Sequence, residues 1–273
     1  MTAAFLVLLT ALAVAQLLVP RQWGIAPLLI ATFHLPNLYC VELGGFGFTP
    51  VRLVILIALA RGITSGYLSD FGKSGIDLAV LVWSCVPIFL GSFHKTGLVT
   101  NVGVTYNVLG AYLCARCYMP DRDSVLRYCK ILAYIVIPLA FFMAIHRVTD
   151  SNPYTVVGAY LDQSAERYGR IRAAGPFAHA ILAGTAAAVV FPLLMLFRTS
   201  NRKLFNLSVL CCLASVVASN SSGPISTFLL VVGGLVFWRY RSMIGPARTL
   251  ALITLVALHF IMSAPVWYLM ARI

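Results

Sequence analysis

An all-α architecture is implied by the amino-acid sequence: a polytopic transmembrane helical bundle of about ten spans, forming a single transmembrane domain over residues 1–273. Three observations lead there. Hydrophobic residues make up 60% of the chain and charged residues 10%, whereas a soluble domain carries about 25% charged residues. No soluble core of this size needs so much apolar surface, so the surface itself must face lipid. The apolar residues also fall in runs approaching the roughly 20 residues that a helical span requires. Those runs use up nearly the whole length and leave no room for a sizeable soluble domain.

In order, the apolar runs are 3–19, 24–40, 49–60, 76–92, 98–117, 129–145, 174–197, 204–218, 225–238 and 250–268. The first has no basic residue before it and no clean cleavage site, so it reads as a retained first span and not as a signal peptide. The second contains Pro27, His34 and Pro36, which suit a broken or re-entrant element as well as a span. The third is short and carries Arg52, which is placed to snorkel toward the interface. Internal repeats and low-complexity tracts are not evident.

The formal charge is +12, from 20 Lys and Arg against 8 Asp and Glu. In a soluble protein that imbalance would suggest nucleic acid. Among membrane spans it is better read as short basic loops that orient helices and touch anionic membrane lipids, and no nucleic-acid partner is expected. Odd-numbered connections hold Arg21; Arg61 and Lys73; Arg116, Arg122, Arg127 and Lys130; Arg198, Arg202 and Lys203; and Arg239, Arg241 and Arg248. The positive-inside rule places these in the cytoplasm. Residues 147–173 then form an external, periplasmic loop, with the 219–223 turn on the same side. The N-terminus is outside if 24–40 spans and inside if it is re-entrant. The external loop is the longest polar stretch and holds Arg147, Arg167, Arg170 and Arg172, together with Tyr154, Tyr160, Asp162 and Glu166.

The seven cysteines are odd in number and mostly lie in apolar runs, which is not a disulfide framework. Cys114 and Cys117 form an isolated CxxC that reads as helix packing, so no metal is expected.

The stretch most informative about chemistry runs from Arg170 and Arg172 through Gly175, Pro176 and Phe177 to His179. Guanidinium groups grip phosphate with a two-pronged fork and stay charged. Pro176 suits a first helical turn, whose N-terminus adds partial positive charge, and Gly175 lets the backbone bend or approach closely. Spacing alone is equally consistent with arginines resting among lipid headgroups, and with a His179 that merely packs.

RxxGPFxH opening a helix, followed one span later by the small polar turn Ser219-Asn220-Ser221-Ser222-Gly223-Pro224, resembles the O-antigen ligase and O-antigen polymerase superfamily. The likeness is best over residues 170–273, where the ligase/polymerase-like region would start, and the ending Ser263–Tyr268 looks like the lead-in to that family's large periplasmic loop. The resemblance implies a GT-C-like glycan transferase of the bacterial inner membrane. It would act in the biosynthesis of lipopolysaccharide O-antigen or exopolysaccharide. Its donor would be an undecaprenyl-pyrophosphate-linked glycan, its acceptor a lipid or another glycan, and it would need no cofactor. By the same resemblance Arg172, with Arg170 as a nearby second cation, would bind the pyrophosphate. Gly175, Pro176, Phe177, His179, Ser221 and Ser222 would support the motif. The arginine that some members carry at the polar turn is absent here. The family's catalytic base is expected beyond Ile273, since neither His146 at a span end nor His259 in an apolar span fits that role. The chain therefore reads as lacking a C-terminal part. A flippase or transporter of lipid-linked sugars, or an inactive truncated paralogue, are the competing readings; the missing inverted repeats weigh against the transporter.

Overall fold

A computed structural model of the chain describes residues 2–43, 46–92, 97–159 and 169–261. The protein is 78% helical and 2% strand, so it is an all-α fold. Its helices are α1 (Ala3–Leu18), α2 (Ala26–His34), α3 (Pro50–Thr64), α4 (Gly75–Ser92), α5 (Leu98–Tyr118), α6 (Arg122–Thr149), α7 (Ala180–Leu194), α8 (Arg202–Ala218), α9 (Ser222–Phe237) and α10 (Ile244–Ile261). One small antiparallel hairpin joins α2 to α3, with β1 (Val41–Leu43) set against β2 (Phe46–Phe48) and Val41 opposite Phe48.

Each apolar run has a helix within it, but the lengths differ from a uniform set of spans. Among the described residues four helical stretches are long and apolar enough to cross a membrane: Leu98–Tyr118, Arg122–Thr149, Ala180–Phe197 and Ser222–Phe260. Ala3–Leu18 and Gly75–Gly91 are apolar but shorter. Helix α2 has only 9 residues, about 14 Å at the helical rise, well under the roughly 30 Å of hydrocarbon. Pro27 starts it, and Leu35 leaves it in extended backbone just before Pro36. Helix α6 runs 28 residues, beyond its apolar stretch, because Asp121 and Ser124 cap its polar first turn reciprocally.

The chain divides into two compact units, Met1–Phe228 and Leu229–Ile273, with the boundary inside α9. In the first, helix contacts run through small side chains: Ala133 and Ala140 on α6, Ala183, Ala187 and Ala188 on α7, and Ser208, Cys212 and Ser215 on α8 are all buried. Large apolar side chains such as Val7, Leu18, Trp83 and Phe141 point outward. Small residues buried between helices and an apolar exterior are expected where lipid is the solvent, and they are compatible with a membrane protein. The second unit is, as far as described, α10 and the end of α9 joined by a short 3-10 stretch whose Tyr240 leaves helical geometry. Leu229, Leu230, Leu250 and Phe260 are exposed along it.

Several basic residues assigned to loops are committed to the fold. Arg61 donates from Nη1 to the Gln16 carbonyl at 2.7 Å and from Nη2 to the Val19 carbonyl at 2.6 Å, closing the C-terminal end of α1. Arg21 donates to the Cys117 carbonyl at 2.9 Å and lies over the Tyr67 ring. Arg116 pairs with the buried Asp77 at 3.1 Å. Arg52, expected to snorkel, instead donates to Asn107 Oδ1 at 3.0 Å and to the Gly47 carbonyl.

Candidate functional site

Residues 172–177 thread between the ends of four helices, and the local sequence explains why. Gly175 has φ +57°, in the left-handed region, and is buried against Met143, Tyr154 and Leu139. A side chain there would be strained. Asn152 donates to the Gly175 carbonyl at 2.8 Å, tying this segment to the loop that follows α6. Two residues earlier the Ala173 amide donates to the Ala218 carbonyl at 3.1 Å, tying the segment to the end of α8. The C-terminal ends of α6 and α8 therefore converge on the same stretch of backbone.

Arg172 is half-buried there, and its Nη2 donates to Ser221 Oγ at 3.2 Å. Ser221 is itself buried and immediately precedes α9. Asn220 makes the reversal between α8 and α9 possible by adopting φ +45°, a region that Asn tolerates better than most residues. Gly184 of α7 lies so near this turn that an added Cβ would stand 2.5 Å from Ser219 Oγ. The guanidinium thus stands beside a helix N-terminus whose first amides have no intrahelical partner, an arrangement suited to an anion.

The expected motif residues separate into two groups. Arg172 and Ser221 meet, and Gly175 and the buried Pro176 shape the backbone between them. Arg170, His179 and Ser222 are exposed and take no part in that contact. The expectation that Gly175 and Pro176 open a helix is corrected: α7 begins at Ala180, with His179 as its N-cap. The left-handed Gly175 and the tethers from Asn152 and Ala218 hold the preceding residues out of helical geometry. The helix N-terminus beside Arg172 is consequently that of α9. Lys95, Tyr160, Asp162, Glu166, Arg167 and the ending Ser263–Tyr268 lie outside the described residues.

Phe177 points elsewhere. It meets Phe33 edge-on at 6.2 Å and lines an apolar cavity of about 380 Å³ with Phe33, Leu132, Leu182, Ala186 and Val189. Phe33's neighbour His34 lies close to the Gly175 segment. Its Nδ1 is 2.7 Å from the Tyr154 hydroxyl and its Nε2 is 3.2 Å from the Ile135 carbonyl. A carbonyl only accepts, so Nε2 carries the proton and Nδ1 accepts from Tyr154. Burial pushes the Tyr154 phenol upward, which keeps it a donor.

Among the described residues, Arg172 Nε, His146 Nδ1 and Ser215 Oγ are buried polar atoms with no hydrogen-bond partner. An orphan of this kind costs about 1–3 kcal/mol, more when charged. No motif or spacing groups His146 with Arg172. A signal was present nonetheless, because Leu139, Met143 and His146 are spaced i, i+4, i+7 and share one face of α6.

The fold and site together define a helical protein, compatible with a membrane, that presents one guanidinium at a junction of helix ends. No protein-family model, curated protein or solved structure matches the chain significantly.

Proposed function

We propose that the chain is a polytopic protein of the bacterial inner membrane that grips a lipid-linked diphosphate at its outer face. In this reading it transfers the attached glycan as an O-antigen ligase or polymerase does. The observation that carries the reading is the contact between Arg172 and Ser221, which brings the two separately recognised motif elements together beside the α9 N-terminus. The apolar cavity that begins at Phe177, five residues along the chain, suits a substrate with an anionic head and a hydrocarbon tail.

Chemically, a pyrophosphate-linked sugar departs readily once negative charge on the leaving group is stabilised. A fixed guanidinium in a water-poor site does this without reorganising at the moment of reaction. The acceptor hydroxyl then needs a base with a pKa near neutrality.

The test is glycan transfer by the full-length protein in cells. Arg172→Ala should lower long-chain surface polysaccharide about 100- to 1000-fold, the usual effect of losing one preorganised charge-stabilising contact, while the protein still inserts. Arg172→Lys should remain poor, because an ammonium does not reproduce the planar fork. Wild-type polymer from Arg172→Ala would overturn the reading.

A further inference from the structure

We propose that His146 and Ser215 complete the Arg172 site, so that His146 Nδ1, Arg172 Nε and Ser215 Oγ together hold one phosphate oxygen at the converging ends of α6 and α8. The proposal rests on the diphosphate reading above and names two further ligands for it.

His146 is 4% exposed and Ser215 is fully buried, yet His146 Nδ1 and Ser215 Oγ, like Arg172 Nε, bond to nothing among the described residues. Buried polar atoms nearly always have a partner, so unpartnered ones call for water, an ion or a ligand. His146 lies one turn before the end of α6 and Ser215 one turn before the end of α8. Those ends are drawn together on the Arg172 segment: Met143 and Leu139 approach Gly175, and Ala218 accepts from Ala173 at 3.1 Å. His146 continues the face of α6 that carries Leu139 and Met143, one turn nearer the end of that helix.

The donor chemistry also agrees. Guanidinium Nε–H and a serine hydroxyl both donate, and imidazole Nδ1 donates in one tautomer or when protonated. Three donors around one point match an oxyanion. Arg172 is then oriented from two sides, by Ser221 on Nη2 and by the shared anion on Nε.

The experiment uses the full chain in detergent micelles, with farnesyl diphosphate as probe. Affinity is read by calorimetry, and the rise in melting temperature on adding probe is read separately. Wild type should bind and be stabilised. Arg172→Ala should abolish both effects. His146→Gln should weaken binding roughly tenfold or more, the loss expected for one hydrogen bond to a charged group, and should lose most of the probe-induced rise even if its unliganded melting temperature also moves. Ser215→Ala removes only a hydroxyl and makes the same test should His146→Gln fail to fold. If Arg172→Ala loses binding while His146→Gln and Ser215→Ala keep wild-type affinity, this inference falls and the diphosphate reading stands. If wild type does not bind the probe, both fall.

Discussion

Arg172 and Ser221 are 49 residues apart in the chain and meet through one hydrogen bond of 3.2 Å. Both belong to motif elements visible in the sequence, since arginine before Gly-Pro-Phe and a run of serines are patterns of residue type. Their meeting was not visible, because it depends on Gly175 and Asn220 both taking left-handed backbone. Gly175→Ala should therefore destabilise the protein by about 1–3 kcal/mol through strain alone, seen as a lowered melting temperature in detergent. An unchanged melting temperature would mean that this backbone relaxes freely. His146 escaped notice for a different reason: a single histidine at a span end carries no pattern, and only burial without a partner singles it out.

The helices were largely legible as apolar runs, but their ends were not, because capping and proline decide those ends. Helix α6 extends through a polar first turn held by Asp121. The Ser124 backbone amide, and then its side chain, hold the Asp121 carboxyl below its ordinary value of 3.8. A depressed carboxyl contributes stability that is complete above the ordinary value and lost as pH falls through the lowered one. Hydrogen exchange at the Ser124 amide should therefore show protection from neutral pH that disappears in that acid range. Protection persisting below it would exclude the carboxylate as the cap. At the same end of these helices, Arg61 satisfies the last carbonyls of α1. Arg61→Ala should cost about 1.5–3 kcal/mol, measurable as a lowered unfolding midpoint, with Arg61→Lys recovering part of the loss. Counting such arginines as loop charges missed that Arg21, Arg61 and Arg116 are each fastened to a helix end or a buried acid.

Over the chain as a whole, composition conveyed the helical class, because 60% hydrophobic residues suit apolar helices compatible with a membrane. Hydropathy treats each run alike, whereas the structure separates the 9-residue α2 from the 28-residue α6. A short α2 favours re-entry over crossing, and in the proposed topology that sets the N-terminus inside. The same topology puts the Arg172 segment and the turn before α9 on the outer face, open to a diphosphate carrier. Ser222 is exposed and adjoins Ser221, so it reports directly on that arrangement. The decisive measurement is site-resolved labelling of Ser222→Cys by a membrane-impermeant maleimide in right-side-out vesicles, with and without farnesyl diphosphate. Labelling from outside that the diphosphate suppresses is the predicted result; labelling only after the vesicles are opened, or at a rate indifferent to the diphosphate, would contradict it.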